Sequence, residues 1–253
     1  MKIKFLVFIS IFALTLSCSQ KDIRKHHEPV KLHPLNPKYF LFREKPTLLI
    51  TSAEHYGAVI NLDFNYKTYL DVLHKNGFNL TRIFTGAYVV ENTANFLEMN
   101  TLNPKPNRLI VPWARSSEPG YKNGGNKFDL DKWDKNYFKR LKEFMRKASD
   151  RDIIVEVTFF SSYYRENMWQ NSPFHPDNNI NGITNRSLEK AQTLYNGNLL
   201  HYQEKYVRKI VFELNEFDNV IYEIQNEPWS DHKNITEYYS IEDSVVKPNW
   251  LNH

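Results

Sequence analysis

Asn226, Glu227 and Pro228 follow the apolar-rich run Val220–Ile224 after one intervening residue, Gln225, and side chains of these types in this order suit sugar chemistry. The run predicts a short buried strand, which must stop at Pro228 because proline cannot donate a ladder hydrogen bond. Glu227 is thereby placed at the carboxyl end of a strand, where α/β proteins build their sites. Its carboxyl could protonate a glycosidic oxygen while the Asn226 amide holds a neighbouring hydroxyl. The alternative is a surface loop with an ordinary glutamate.

Arg82 is a second candidate, because it lies near the carboxyl end of the predicted strand Phe78–Phe84. A buried arginine must be paired, since an isolated buried charge is costly. One role would be to hold a catalytic carboxylate in its ionised form. The other would be a structural ion pair, for example with Glu156 of the next strand, and the residue by itself favours neither.

Alternating strands and helices would position these side chains. The hairpin Tyr39–Phe42 with Thr47–Ile50 comes first, and its second run continues into a core strand. The predicted order is strand Thr47–Ile50, a helix capped by Asp63 and ended by Asn76–Gly77, strand Phe78–Phe84, helix Asp131–Arg151, strand Ile153–Phe160, helix Leu199–Phe217 and strand Val220–Gln225. Such alternation predicts a parallel sheet. The long segments Gly86–Asp129 and Ser161–Asn198 both follow strands, so they should lie at the same face as Glu227.

Two of these segments resemble clan A glycoside hydrolases, nearest to the cellulase-like family 5 and its secreted bacterial relatives. They are Asn79–Ile83 on the second strand and Asn226–Pro228 on the fourth. Three further segments are similar to those proteins: Tyr39–Ile50, Pro112–Ser116 and Pro119–Tyr121. The resemblance implies an α/β fold of the (β/α)8 TIM-barrel type. It also implies a retaining mechanism on a β-linked polysaccharide or oligosaccharide. We expect no cofactor and no metal.

The resemblance assigns roles residue by residue. Glu227 matches the general acid/base, Asn226 the residue that binds the substrate 2-hydroxyl, and Arg82 the arginine that braces the nucleophile. We add four candidates of our own for contacts with the substrate in sugar subsites: Trp113, Trp169, His175 and Trp229.

The nucleophile of that family has no counterpart here. It is a second glutamate at the end of strand seven, whereas this sequence reaches strand four only at residue 225. Each further βα unit takes about 30 residues, so four more units do not fit before residue 253. We therefore expect a partial barrel, truncated after strand four. It would be a truncated gene product, a fragment or one part of a split reading frame, and less readily a half barrel that dimerises. Four acidic residues could lie near the same face, but none is proposed as a replacement: Glu54, Glu91, Glu166 and Asp177.

Two functions consequently stay open. One is a glycoside hydrolase-like protein whose activity is feeble or absent in this chain alone. The other is a non-catalytic carbohydrate-binding or interaction protein at the cell surface, a truncated pseudoenzyme that keeps the aromatic segments and loses the chemistry. A reading frame downstream of His253 that encodes the missing strands would favour the first.

The amino terminus predicts export. Lys2 and Lys4 precede an apolar run, Phe5–Leu16, which is too short to span a membrane and is typical of a signal peptide. The end of this segment resembles a bacterial lipoprotein signal, with Cys18 as the lipidated residue; the alternative is cleavage and secretion without a lipid. Residues 19–37 are polar and predict a flexible tether, and residues 38–253 form the domain.

Composition limits the other possibilities. Cys18 is the only cysteine, so the sequence predicts no internal disulfide, no cysteine metal site and no thiol nucleophile. The net charge of +4 is too small and scattered to suggest nucleic acid as a partner. His26–His27 could bind a metal but is better explained by a solvated linker. Gly124–Gly125 lacks the following lysine of a phosphate-binding loop.

Overall fold

The computed structural model describes residues 27–51, 55–90 and 102–228, and shows a mixed α/β fold. The strands are β1 (Lys31–Leu32), β2 (Phe40–Phe42), β3 (Lys45–Thr47), β4 (Leu80–Phe84), β5 (Trp113–Pro119), β6 (Asn126–Trp133), β7 (Ile154–Ser161) and β8 (Val220–Asn226). The helices are α1 (Tyr66–Lys75), α2 (Lys135–Ser149), α3 (Glu166–Trp169), α4 (Leu188–Ala191) and α5 (Leu199–Leu214), with a short 3₁₀ turn at Pro176–Asn178.

The centre of the fold is a parallel sheet with the strand order β4–β7–β8. In its register Arg82 lies opposite Glu156, and Thr158 lies opposite Glu223. Because side chains alternate along a strand, these polar residues share one face, while the apolar Ile83, Val155 and Val157 share the other. These three apolar side chains are fully buried in the core, whereas Ile224 of β8 on the same face is 70% exposed. Within the described ranges the strands form no closed barrel.

Helix α2 forms where the sequence provides both a cap and an apolar stripe. The side chain of Asp134 accepts hydrogen bonds from the backbone N–H groups of Asn136 and Tyr137, at 2.8 and 3.3 Å. Asparagine and aspartate are favoured at this position because they satisfy the free donors of the first turn. The buried residues recur at helical spacing: Tyr137, Phe138, Leu141, Phe144, Met145 and Ala148. The helix begins later than predicted, since β6 continues to Trp133.

The first predicted core strand is wrong. Only Thr47 of the run Thr47–Ile50 is in a strand, and it belongs to the hairpin β2–β3. The side-chain amide of Asn79 explains this outcome, because it accepts from the backbone N–H of Ile50 at 2.7 Å and donates to the carbonyl of Leu48 at 2.9 Å. These are the backbone groups that a strand ladder would use. The described part of the parallel sheet therefore has three strands, where four were predicted.

Three other expectations need correction. Helix α1 is capped by Asn65 and not by Asp63, which instead pairs with Arg108 at 2.7 Å. The segment Gly86–Asp129, expected to be a long loop, contributes most of the antiparallel hairpin β5–β6. Residues 27–37, the last part of the expected tether, pack on the domain: β1 pairs with β2, and the N–H of Val30 donates to Asp218. The predicted hairpin near the amino terminus is present, with its turn at Arg43–Glu44.

His55 gives the fold a pH-dependent stability. Its ring is buried and stacks on Phe64 with the ring centroids 3.5 Å apart. Burial lowers the pKa of His55 from 6.5 to about 4. Between these two pH values the unfolded chain binds a proton that the folded chain excludes, so stability falls as the pH falls.

We therefore expect acidification from about pH 7 to about pH 4.5 to cost the native state about 2 kcal/mol through His55 alone. The His55→Gln variant has no imidazole to protonate, so its free energy of unfolding should fall less between the two pH values, by this amount. Urea denaturation at both pH values measures it, because carboxylates titrate equally in the two proteins. Identical slopes for wild type and variant would contradict the assignment.

Candidate active site at the carboxyl edge of the sheet

Glu227 lies immediately after β8, in a turn with an uncommon backbone conformation. Its φ of +51° is left-handed, which non-glycine residues seldom adopt, and the following Pro228 makes it less favourable still. Ser162 holds this turn: its N–H donates to the carbonyl of Asn226 at 3.1 Å, and its hydroxyl donates to the carbonyl of Glu227. Strain of this kind persists only where surrounding contacts fix it. The turn leaves the Glu227 side chain exposed at the edge of the sheet.

Arg82 forms an ion pair with Glu223 of β8. One guanidinium nitrogen, Nη1, donates to both carboxylate oxygens of Glu223, at 3.1 and 3.3 Å. Thr158 of the intervening strand donates to the same carboxylate at 2.6 Å. The Arg82 and Glu223 side chains are 17% and 25% exposed, so the pair is largely withdrawn from water. A charge-assisted network of this kind fixes both side chains across all three parallel strands.

Asn226 connects this ion pair to the exposed edge. Its side-chain oxygen accepts from Nη1 of Arg82 at 3.1 Å. Its side-chain nitrogen donates to the hydroxyl of Tyr164 at 3.2 Å and to that of Ser161 at 3.3 Å. The amide is therefore held in one orientation, with its oxygen toward the cation and its nitrogen toward the two hydroxyls. The structure thus brings Arg82 and Asn226 into direct contact, next to Glu227.

Tyr164 completes the cluster. Its hydroxyl donates to the Oε2 atom of Glu227 at 2.5 Å. Burial raises the pKa of Tyr164 well above its ordinary value, and the hydrogen bond to the Glu227 carboxylate raises this pKa further. Tyr164 therefore keeps its proton and acts as a donor. The carboxylate of Glu227 is positioned by this phenol on one side and by the strained turn on the other.

Sequence reasoning missed Glu223 and Tyr164. A signal for Glu223 was present, since a charged residue in the middle of the apolar run Val220–Ile224 needs a buried partner as much as Arg82 does. No comparable signal marks Tyr164. It follows β7 in a long segment with several aromatic residues, and only the turn of the chain after Ser161 brings it to Glu227.

The other residues that the sequence predicted to contact the substrate do not belong to this cluster. Trp113 and Trp169 are core residues with 1% and 0% exposure, and His175 is buried with 6% exposure. The expectation that these three contact a sugar is corrected, because their side chains are packed in the core of the described residues. Trp113 packs on Phe174 and Tyr206, with ring centroids 4.7 and 5.1 Å apart. Trp229 and Cys18 lie outside the described residues.

The four acidic residues that were not proposed as a nucleophile lie outside the cluster or outside the described ranges. Asp177 pairs with Arg186 at 3.0 Å, and Glu166 is the first residue of α3. Glu54 and Glu91 lie outside the described residues. In the described part of the chain, no three histidine, aspartate, glutamate or cysteine side chains group closely enough to hold a metal ion. No helix among the same residues has the length and apolar character needed to cross a membrane.

The Arg82–Glu223 pair can be tested by a double-mutant cycle. The single variants Arg82→Met and Glu223→Gln each leave a partly buried charge without its main partner, and each should cost about 2 kcal/mol of stability. The double variant should cost clearly less than the sum, with a coupling energy of about 1 to 3 kcal/mol. Urea denaturation of the four proteins supplies the values. Additive costs would show that the two side chains do not act as a pair.

The fold matches part of several solved structures. A candidate glycoside hydrolase from Bacteroides vulgatus ATCC 8482 has 15% sequence identity and a TM-score of 0.53, over 87% of this chain and 36% of that chain. A family 5 mannosidase from Rhizomucor miehei has 11% identity and a TM-score of 0.47, over 85% of this chain and 52% of that one. A β-mannanase from the blue mussel Mytilus edulis has 9% identity and a TM-score of 0.44, over 79% of this chain and 46% of that one.

Of these three likenesses, the one to the Bacteroides protein bears on the fold. The TM-score with the Bacteroides protein shows that the chain folds like part of a glycoside hydrolase, which confirms at the level of the fold the resemblance predicted from the sequence. The chain spans about a third to a half of the length of these solved structures. No protein-family model matches the sequence, and the search of curated proteins gave no match.

Proposed function

We propose that this chain contributes the general acid/base of a retaining glycoside hydrolase of family 5 type, acting on a β-linked polysaccharide or oligosaccharide. The observation that carries the proposal is the position of Glu227, at the tip of a parallel strand and in contact with the phenol of Tyr164. The contact between Asn226 and Arg82 at the same edge supports it. The structural likeness to a candidate glycoside hydrolase supports the fold that the proposal requires.

In the first step, the protonated Glu227 carboxyl gives its proton to the glycosidic oxygen while the bond from that oxygen to the anomeric carbon breaks. A carboxylate nucleophile forms a bond to the same carbon and yields a glycosyl-enzyme. In the second step, Glu227, now ionised, takes a proton from water, and the water oxygen attacks the anomeric carbon and displaces the nucleophile. Tyr164 donates to the ionised form of Glu227, which stabilises it between the two steps.

Asn226 and Arg82 have supporting roles in this proposal. Asn226 binds the 2-hydroxyl of the sugar next to the scissile bond, because its amide is already fixed by Arg82 and by two hydroxyls. Arg82 provides a fixed positive charge at the strand edge. In the described residues that charge is directed at Glu223, and the same guanidinium would brace a nucleophile brought next to it.

The proposal needs more of a barrel than the described residues provide. We propose that the sheet β4–β7–β8 is the amino-terminal part of a (β/α)8 barrel, whose other strands lie outside the described residues or in further sequence. The nucleophile would then stand at the tip of one of those strands, with its carboxyl about 5 to 5.5 Å from that of Glu227. Sequencing the DNA downstream of His253 tests this directly: a frame encoding further βα units and a strand-tip glutamate supports it. A stop codon without such a frame contradicts it.

We also propose that the protein is exported and anchored to the bacterial envelope by a lipid on Cys18. The segment Met1–Cys18 supports this from sequence alone. Expression of the complete gene in a bacterium should place the protein in the membrane fraction, with the mass of a diacylglycerol and a fatty acid on the mature amino terminus. The Cys18→Ser variant should lose that added mass and leave the membrane fraction. An unmodified wild-type protein in the soluble fraction would rule out the anchor.

A further inference from the structure

A concave surface lies on the outside of the molecule, between the hairpin β5–β6 and helices α2 and α5. We name it the lysine groove; its volume is about 660 Å³. Five lysines line it: Lys132, Lys135, Lys139, Lys142 and Lys209. Glu213 is the single carboxylate in the lining, and the half-buried Trp133 supplies aromatic surface, with Phe138 buried beside it. None of these residues belongs to the cluster around Glu227.

Three of the five lysines are already paired. Lys132 contacts Asp129 at 2.9 Å, and Lys142 and Lys209 share Glu213, at 3.1 and 2.6 Å. The remaining two, Lys135 and Lys139, have no hydrogen bond or ion pair from their side chains to any described residue. They stand four positions apart on α2 and so lie on one side of the helix, about one turn from each other. The groove therefore presents two uncompensated positive charges next to each other.

Helix stability does not explain Lys135. It lies in the first turn of α2, where no acidic residue is present. The amino-terminal end of a helix carries partial positive charge, which disfavours a lysine and favours an anion. The carboxylate of Asp134 caps this end and satisfies the N–H groups of Asn136 and Tyr137, so the helix end itself offers no site for an anion. The attraction for a negatively charged ligand therefore comes from the side chains of Lys135 and Lys139.

The ring of Trp133 gives the groove a surface that a sugar ring can contact. Trp133 is only half-buried; it stacks near Trp113 and meets the ring of Phe138 edge-on, with centroids 6.0 Å apart. The Nζ atom of Lys209 lies 5.0 Å from the centroid of Phe138. A flat apolar surface flanked by cations suits a ring that carries a negatively charged substituent. The limited extent of the positive surface, together with the small net charge, favours such a ring over a nucleic acid.

We propose that the lysine groove binds an acidic polysaccharide, a chain of sugars that carry carboxylate groups. Lys135 and Lys139 would pair with successive carboxylates, and the exposed part of Trp133 would contact a ring face. This site is separate from the edge of the sheet, and the proposal holds whether or not Glu227 is a catalytic acid.

Binding of polygalacturonate to the full chain, measured by titration calorimetry at low and at moderate salt, tests the proposal. The double variant Lys135→Gln/Lys139→Gln should bind about tenfold more weakly and with a smaller salt dependence, because two exposed charge pairs are lost. A charge-matched control is Lys75→Gln/Lys190→Gln, which removes two exposed lysines outside the groove and should bind as wild type does. Neither variant should affect folding, since surface substitutions of this kind seldom do.

Further probes separate the proposed ligand from others of similar charge. A neutral mannan, double-stranded DNA and vesicles with anionic phospholipid should each bind more weakly than polygalacturonate under the same conditions. The proposal is overturned if wild type does not bind polygalacturonate, or if the groove variant and the control lose affinity equally. Equal or tighter binding of any of the three other probes would also overturn it.

Discussion

The Glu227→Gln variant is expected to hydrolyse β-glycosides with a kcat/KM about 10² to 10⁴-fold below that of wild type, because the amide has no proton to give to the leaving oxygen. The substrates are β-glycosides with poor leaving groups, for which proton donation matters most. The protein to be assayed is the polypeptide encoded by the complete reading frame. Glutamine retains the shape of the side chain and can still bond to Tyr164, so folding should be preserved.

The matched control for this loss is Glu189→Gln, which makes the same chemical change on the exposed surface of α4. Its kcat/KM should equal that of wild type. A second comparison, Tyr164→Phe, removes the donor to Glu227 but leaves the carboxyl in place, and should lower the rate much less than the loss of the carboxyl itself. Equal rates for wild type and Glu227→Gln would exclude Glu227 as the acid and favour a non-catalytic, carbohydrate-binding protein.

The second large effect concerns stability. Trp169→Ala should destabilise the native state by about 3 to 5 kcal/mol, because it removes the largest apolar side chain from a fully packed site. Trp169 contacts Tyr163 and His175, with ring centroids 5.1 and 5.2 Å away, and its indole N–H donates to the carbonyl of Arg186 at 3.1 Å. Thermal unfolding measures the loss as a reduction in Tm of about 2 to 4 °C for each kcal/mol.

The control for Trp169→Ala is Phe212→Ala on α5, since Phe212 is 77% exposed. It also removes an aromatic ring, but should change the free energy of unfolding by less than about 1 kcal/mol. The sugar-binding role predicted from the sequence for Trp169 would instead give a stable variant with weakened affinity for glycans. A Trp169→Ala protein with unchanged Tm would therefore contradict the core position seen in the structure.

The sequence predicted the edge of the sheet well because the relevant signals are local. The apolar run Val220–Ile224 and the proline at 228 define where β8 ends, and the structure extends the predicted strand Val220–Gln225 by only one residue, to Asn226. The strand was expected to be buried, but none of its residues is fully buried. Arg82 followed from a different local argument, the need of a buried charge for a partner. In both cases the types of the neighbouring residues in the sequence were enough for the prediction.

The expectations that were wrong depended on tertiary contacts. The sequence shows that Trp113 and Trp169 are aromatic, but only the packing of distant segments decides whether such rings lie in the core or in a groove. The first predicted core strand does not form, because the side chain of Asn79 makes hydrogen bonds with the backbone groups of Leu48 and Ile50. The hairpin β5–β6 was not predicted because the strand Trp113–Pro119 is mostly polar and partly exposed, and so lacks the apolar pattern of a buried strand.

The role of Glu227 has a direct chemical test in the Glu227→Ala variant, with an aryl β-glycoside whose leaving group departs without a proton. In a retaining mechanism this variant forms the glycosyl-enzyme but cannot activate water, so hydrolysis stalls at the second step. Azide needs no general base and should restore the rate, with a glycosyl azide of β configuration as the product. A variant that hydrolyses the aryl glycoside as fast as wild type, with no response to azide, would contradict the assignment.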